Sequence, residues 1–420
     1  MSGEHVLKEL AAPEEALSRL LAKCRIGPRA AEYVGVRSAV GRVLAEDVVS
    51  RRDVPPFDRA AMDGYAVRSA DVSSASQSSP AVLRVVGEAS ADRPFTGRLG
   101  RGEAVRIDTG ARMPEGADAV VMLEYTRREG DTLYVYSPAS PLQNVAVRGE
   151  DMKRGSLVAR RGTLLTPYDV AALAAAGWSE VRVYAMPRIA IASIGSELRE
   201  PWEASPEDVV ETNRMVVAGV LSGYPVVVAD KGILPDDIAV LEDFYSRASE
   251  EADMIITMGG TSLGKGDYAV RALERAGEVV VHGVSLYPSR PVALGVVGGK
   301  PVLALPGYPV AVAIGMSVFG EELVRLLCGI EGRPVKPRLR GKLLRRLPSK
   351  LGLRHYARGR VVIREGEVAI EPVVTSGAGL ISSLSSSDGF VVVSEGVEGY
   401  EAGEEVEIEL YRRYIRGGER

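Results

Sequence analysis

Apolar positions recur along this chain in more than one rhythm, and each rhythm predicts a different kind of element. Pro13 to Cys24 carries apolar residues at helical spacing behind a proline and two acids, Glu14 and Glu15, which predicts a helix. From Ala81 to Tyr136 short apolar runs alternate with glycine turns and no helical period appears, so this stretch predicts a β-rich domain. Thr166 to Gly177 reads as a second helix, with a threonine cap, Pro167 at its first position and a glycine exit. It is expected to pack with the N-terminal helix, because the β-rich segment sits between them as an insertion.

Past residue 187 the pattern changes. Strand-like runs at Arg188–Ser193, Val226–Ala229, Met254–Met258 and Val279–Val281 alternate with helical patterns around Thr212–Leu221, Asp236–Ser249 and Tyr268–Ala276. Pro291–Val297 and Pro301–Leu305 read as a hairpin across Gly298-Gly299, and a long helix from about Val310 to Leu327 follows. Such alternation predicts a mostly parallel sheet with helices on both faces. Residues 334 to 411 return to short strands and glycine turns, a second β domain. The fold class is therefore α/β plus β. The expected division is 1–48 with 145–186 as a helical linker domain, 49–144 as the inserted β-rich domain, 187–330 as the α/β domain, 331–412 as the C-terminal β domain, and 413–420 as a tail. A length of 420 residues suits two to four domains.

Composition narrows the partners. Net charge is −4 with both signs mixed, and no dense basic stripe is interleaved with aromatics, which argues against nucleic acid. The basic run Arg338 to Arg346 reads as a solvated strand face. No apolar run approaches the roughly 18 residues of a membrane span, and the first residues lack a signal peptide's pattern, so cytoplasm is the expected location and no membrane the expected partner. Cys24 and Cys328 are too far apart in sequence for a zinc motif and read as packing residues; His5, His282 and His355 are scattered.

Candidate chemistry centres on Ala252 to Tyr268. A short apolar strand leads into Gly259-Gly260-Thr261-Ser262-Leu263-Gly264-Lys265-Gly266, and Asp267 opens a helix. Glycines let backbone N–H groups approach an anion, and a helix N-terminus carries partial positive charge. The stretch nearly spells a P-loop, but a P-loop needs Ser or Thr after the lysine, and here Gly266 and Asp267 follow. A plain connecting turn is the alternative. Parallel sheets bind ligands at the carboxyl ends of their strands. Here those ends read Gly195-Ser196-Glu197, Leu234-Pro235-Asp236-Asp237, Gly259-Gly260-Thr261-Ser262 and Leu305-Pro306-Gly307-Tyr308-Pro309. Their agreement along one predicted rim favours a site.

Six motifs together resemble the molybdopterin molybdotransferases, the MoeA and gephyrin E-domain family. They are Ala61-Met62-Asp63-Gly64-Tyr65-Ala66, Thr109 to Val121, Gly149-Glu150-Asp151, Gly195-Ser196-Glu197-Leu198, Gly259-Gly260-Thr261-Ser262 with Asp267-Tyr268, and Leu305-Pro306-Gly307. Their order and spacing match from about residue 10 to 411. The resemblance implies an elongated, four-domain homodimer with a central molybdopterin-binding domain and a C-terminal β-barrel. It implies the last step of molybdenum cofactor synthesis: adenylylated molybdopterin is hydrolysed with Mg²⁺, AMP leaves, and molybdate is inserted. It also implies an active site between subunits, with the molybdopterin adenylyltransferase and molybdoenzyme apoproteins as partners.

Carried over position by position, the resemblance implies Asp63, Thr109, Asp151, Glu197, Asp236 and Asp267 as catalytic-cleft residues. Glu197 and Asp236 are expected near the metal and phosphates, Asp267 on the pterin, and Asp63 from the partner subunit. Gly259, Gly260, Thr261, Ser262, Lys265, Arg290, Pro306, Gly307, Arg358 and Ser376 are the implied substrate-binding positions. So many carboxylates would repel a polyanion unless metal ions intervene. Three departures fall on the anion side. Where the family has Lys-Pro-Gly-Lys/Arg-Pro, this chain has Tyr287-Pro288-Ser289-Arg290-Pro291, so Tyr287 replaces the first cation unless Lys265 or Lys300 substitutes. Ala378 stands in a glycine loop expected to carry serine, and Tyr308 where many relatives have Asn. Tungstate insertion and a non-catalytic scaffold that binds molybdopterin remain as alternatives.

Overall fold

The computed structural model describes residues 10–261, 267–364, 366–373 and 377–412. They fall into two compact units: one holds residues up to 32, 41–43 and 184 onward, the other holds 33–40 and 44–183. The expected tail at 413–420 lies outside the described residues.

In the first unit, β1 (Arg188–Ile194), β2 (Val227–Leu234), β3 (Met254–Met258), β4 (Glu278–His282), β5 (Ala293–Val297) and β6 (Lys300–Leu305) form one sheet in the order β2-β1-β3-β6-β5-β4. β2, β1, β3 and β6 are parallel, while β5 runs antiparallel to both β6 and β4. The hairpin across Gly298-Gly299 forms as expected, with Val297 paired to Lys300.

Strand sequence explains the layering. Met254 to Met258 is buried throughout, as a strand covered on both faces must be. Side chains then sort by parity. Ile189, Ile191, Met254, Ile256, Met258, Leu303 and Leu305 belong to one apolar cluster, and Ala190, Ile255 and Val302 to the other. The first cluster is covered by α1 (Pro13–Lys23), α2 (Asn213–Leu221) and a long helix. The second is covered by α3 (Ile238–Glu251) and α4 (Tyr268–Ala276). The long helix runs as α5 (Pro309–Gly315), a π-helical turn Met316–Gly320 and α6 (Glu321–Cys328). Thr257, a polar residue inside β3, is satisfied by the hydroxyl of the fully buried Tyr245, 3.0 Å away. Cys24 and Cys328 are buried free thiols, and burial pushes Cys328 up to about 12.

One expectation is corrected. Helix α1 spends its apolar face, Ala16 and Leu20, on the α/β sheet rather than on the helix at 167–175. Arg354 holds its first turn, with Nη2 3.2 Å from Glu14 Oε2.

The C-terminal β segment is a closed barrel. Strands Arg354–Arg364, Glu367–Pro372, Arg338–Leu343, Glu405–Leu410 and Gly389–Val393 pair in that order, and the last returns to the first. Leu286–Tyr287 adds to its edge in parallel, opposite Arg354 and His355. No helix among the described residues is long and apolar enough to cross a membrane.

The second unit contains a six-stranded sheet built from segments between Gly64 and Val135, as the β-rich reading expects. Its strand Gly64–Val67 is also buried on both faces: Tyr65 and Val67 join one cluster, Ala66 the other. The helix Pro167–Ala175 has the predicted cap. Thr166 Oγ1 accepts from Asp169 N at 3.2 Å, and Asp169 Oδ2 accepts from Thr166 N at 2.8 Å.

His355 is only 2 % exposed and stacks edge-on against Tyr287, with centroids 4.8 Å apart. Burial, aided by the nearby Arg358 charge, lowers its pKa from 6.5 to about 4. Between these values the unfolded chain holds a proton that the folded chain refuses. Stability is therefore unaffected above pH 6.5, falls as pH drops, and has lost about 3 kcal/mol from this residue below pH 4. Urea midpoints of His355→Phe between pH 7 and 4 are expected to show a correspondingly flatter decline than the parent; parallel profiles would refute the assignment.

Candidate functional site

The parallel strands deliver their turns to one rim, and the turns enclose a cleft of about 1020 Å³. Its wall includes Gly195 and Glu197 after β1, Asp236 after β2, Gly259, Gly260 and Thr261 after β3, and Pro306, Gly307 and Tyr308 after β6. All four expected rim turns thus meet at one cavity. Leu198, Val209, Val210, Tyr268 and Ile381 add apolar surface.

The glycines are there because the backbone must turn sharply and come close. Gly259 has φ 98°, and a Cβ there would strike the carbonyl of Ile194. Gly260 has φ 64°, and its Cβ would lie 3.1 Å from that of Ala269 in α4. Ser262 and Lys265 lie outside the described residues, as does Ser376.

The acids of the rim divide their work. Asp237 caps α3, accepting from Ala239 N at 2.8 Å and Val240 N at 3.1 Å. Its neighbour Asp236 faces the cleft and is oriented by Ser196. Asp236 Oδ2 accepts from Ser196 N at 2.9 Å, and Asp236 N donates to Ser196 Oγ at 3.0 Å. Glu197 is exposed on the same wall. Glu211, which sequence reasoning missed, is buried beneath it. Ser193 Oγ donates to Glu211 Oε1 at 2.7 Å, and Arg214 Nε lies 3.3 Å from Oε2. Arg214 also pairs with Asp230 at 2.6 Å and with Glu200. Burial pulls its pKa down, but hydrogen bonds to Asp230 and Glu200 and the charges of Asp230 and Glu211 together hold it above the ordinary value. Glu211 is thus a compensated structural charge, and Glu197 and Asp236 are the cleft's available carboxylates.

Among the described residues lining the cleft there is no lysine or arginine. Two open carboxylates without a cation suit a divalent ion that takes its remaining ligands from phosphate and water, the usual habit of Mg²⁺. Among the described residues no group of three or more His, Cys, Asp or Glu is placed to hold a metal ion.

Other expected residues stand elsewhere. Asp267 has Oδ2 3.4 Å from His282 Nε2 and is not among the residues lining the cleft. Arg290 is exposed, and its turn presents Pro291 to the cleft instead. Arg358 is 2 % exposed within the barrel, and burial lowers its guanidinium pKa, opposed by Tyr287 and Tyr411. Lys300 lies 3.7 Å from Asp253 at the opposite end of the sheet, so it does not replace the cation lost at Tyr287. Lys350 Nζ stands 5.8 Å from the Tyr287 ring centroid.

Two departures are absorbed by the backbone. Ser289 occupies the position where the family pattern has glycine, at φ 101°, and its hydroxyl donates to Ala311 O at 2.9 Å. Ala378 contributes its carbonyl, which accepts from Val310 N at 3.1 Å.

In the second unit two predicted residues, separated by 46 positions in sequence, meet directly. Asp63 Oδ1 accepts from Thr109 N and Thr109 Oγ1, each at 2.7 Å. The Thr109 hydroxyl and amide, with a weaker pull from Arg106, hold the Asp63 carboxyl below its ordinary pKa. Asp151 is exposed, and its amide donates to Val54 O at 3.1 Å.

Comparison with known proteins agrees along the chain. Residues 11–177 match the MoeA N-terminal region (domain I and II), 190–325 the probable molybdopterin binding domain, and 340–411 the MoeA C-terminal region (domain IV). The chain is 34% identical over 390 residues to a putative molybdopterin biosynthesis protein of Methanocaldococcus jannaschii, covering 90% of this chain and 92% of that one. It is 33% identical to the molybdopterin molybdenumtransferase of Haemophilus influenzae, covering 96% and 99%. The crystal structure of a molybdopterin biosynthesis MoeA protein from Pyrococcus horikoshii OT3 matches with TM-score 0.83 at 34% identity, covering 96% of this chain and all of that one. The chain belongs to the MoeA family.

Replacing Thr109 by valine removes one of the two hydrogen bonds on Asp63 Oδ1. The Asp63 pKa, followed by carboxyl-carbon NMR titration, is expected to rise toward the ordinary carboxylate value, and an unmoved titration would contradict the pairing.

Proposed function

We propose that this MoeA-family chain is a molybdopterin molybdotransferase acting in the last step of molybdenum cofactor biosynthesis. Its substrates are adenylylated molybdopterin and molybdate. Water attacks a phosphorus of the pyrophosphate, one P–O bond breaks, AMP leaves, and molybdate is ligated by the dithiolene sulfurs of the freed molybdopterin. The observation that carries this reading is the cleft itself: a large pocket, without a lysine or arginine among its described lining residues, that has two open carboxylates at the ligand-binding rim of a molybdopterin-type domain.

The residues of the chain take separable roles. The backbone turn Gly259-Gly260-Thr261 approaches the phosphates, since its bare glycines admit close contact. Asp236, locked by Ser196, and Glu197 would hold Mg²⁺. That ion, when bound, supplies positive charge against the pyrophosphate oxygens. The apolar wall of Leu198, Val209 and Val210 excludes water from one side of the ligand.

Purified protein given adenylylated molybdopterin, molybdate and Mg²⁺ is expected to release AMP, and Asp236→Asn to slow release by roughly a hundredfold or more, the order expected when a charge-stabilising group is lost. Binding without AMP release would point to a scaffold. Insertion of tungstate in preference to molybdate under competition would point to the tungstate reading.

We further propose that the working unit is a homodimer in which Asp63, Thr109 and Asp151 complete the cleft of the other copy. Co-expressed Asp63→Asn and Asp236→Asn chains then form mixed dimers with one intact site. With random pairing about a quarter of parent activity is expected to return, because half the dimers are mixed and each carries one intact site of two. Activity no higher than that of either variant alone would place both acids at a site within one chain.

A further inference from the structure

Two polar side chains in the cleft wall are buried yet each has a polar atom without a partner among the described residues. Asn213 is 7 % exposed; its Nδ2 donates to Gly307 O at 2.8 Å, while its Oδ1 has no hydrogen-bond partner. Thr261 is 8 % exposed, and its Oγ1 is likewise unpartnered. Both residues line the cleft. The Gly307 carbonyl fixes the amide's orientation, because only the nitrogen end can donate to it. The oxygen end is thereby committed to accept. An orphaned buried acceptor costs roughly 1–3 kcal/mol unless something fills it, and two in one pocket mark a place where a ligand's polar edge belongs.

Resting on the function proposed above, we infer that Asn213 and Thr261 read the hydrogen-bonding edge of a flat heterocycle. The Asn213 carbonyl accepts a ring or exocyclic N–H, and the Thr261 hydroxyl pairs with a neighbouring ring nitrogen or carbonyl. The apolar residues Val209, Val210 and Tyr268 of the same wall provide surface for its faces. These two residues determine specificity by hydrogen bonding, and they are distinct from the carboxylates assigned to the metal and phosphates. A pterin and an adenine both present an edge with adjacent donor and acceptor, so the ligand's two halves are the two sources of this chemistry.

The test measures binding of two probes separately, molybdopterin without nucleotide and AMP, to parent, Asn213→Ala and Thr261→Val proteins. Each variant is expected to weaken one probe, the same one in both, by about tenfold, the worth of one hydrogen bond in a desolvated site, and to leave the other within about twofold. Loss on molybdopterin assigns the edge to the pterin, and loss on AMP assigns it to adenine. A collapsed rim, from loss of the Gly307 bond, would weaken both probes in Asn213→Ala and neither in Thr261→Val; that result overturns the inference. Unchanged affinity for both probes in both variants overturns it as well. Parent protein that binds neither probe would remove the proposed function first, and this inference with it.

Discussion

Burial of the central strand on both faces is the constraint on which the site depends. Met254 to Met258 can offer no side chain to solvent, so its neighbours must be strands and its faces must be covered by helices. Each buried Met or Ile contributes about 1.5–3 kcal/mol, against about 1–2 kcal/mol for ordering each residue. That balance closes only when both faces are packed. Parallel neighbours follow, with β1 on one side and β6 on the other. Once those strands share a direction, their exit turns share a rim. The cleft is the consequence: chemistry can vary in the turns while the strands beneath stay fixed.

Electrostatics then decides what the rim can bind. Glu211 lines the cleft but is compensated by Arg214, and Asp237 is used up as a helix cap. Asp236 is neither: Ser196 orients it without neutralising it. This leaves negative charge facing a pocket that lacks basic residues among those described. On the proposed function, the polyanionic ligand enters such a pocket together with a cation. On the proposed reading, the near-P-loop needs no hydroxyl for a metal, because Glu197 and Asp236 of other rim turns would hold it.

Much of this was legible in the sequence. The alternation of apolar runs from Arg188 to Leu305 specified the sheet, because buried parallel strands read as unbroken apolar runs. The four rim turns were visible because glycine, proline and acids at strand ends have few structural uses. What was not legible depended on distance in space. Helix α1 carries the signature of any amphipathic helix, and nothing in its own residues says which sheet receives Leu20. Glu211 precedes α2 and Asn213 opens it, and both look like ordinary polar residues of a helix start. Only their meeting with Ser193 and Gly307, far away in sequence, distinguishes them. Asp267, which the family resemblance places on the pterin, sits at a helix start with its Oδ2 3.4 Å from His282 Nε2, a pairing that sequence distance hides.

The departures from the family pattern show how side-chain changes are confined. Ser289 keeps a left-handed backbone without being glycine, because its hydroxyl is tied to Ala311 O. A non-glycine residue there costs on the order of 1–3 kcal/mol, and one buried hydrogen bond offsets a good part of that. Ala378 needs no hydroxyl to hold Val310, since its carbonyl does so. Tyr287 is different. It exchanges a cation for a ring packed on His355, and no backbone interaction restores the charge. At Ser289 and Ala378 the change is met by a hydrogen bond to the backbone or from it, whereas at Tyr287 a charge is exchanged for a ring. The fold tolerates the first kind of change through backbone geometry, whereas the exchange at Tyr287 replaces a charge by a ring that has the Lys350 ammonium 5.8 Å from its centroid.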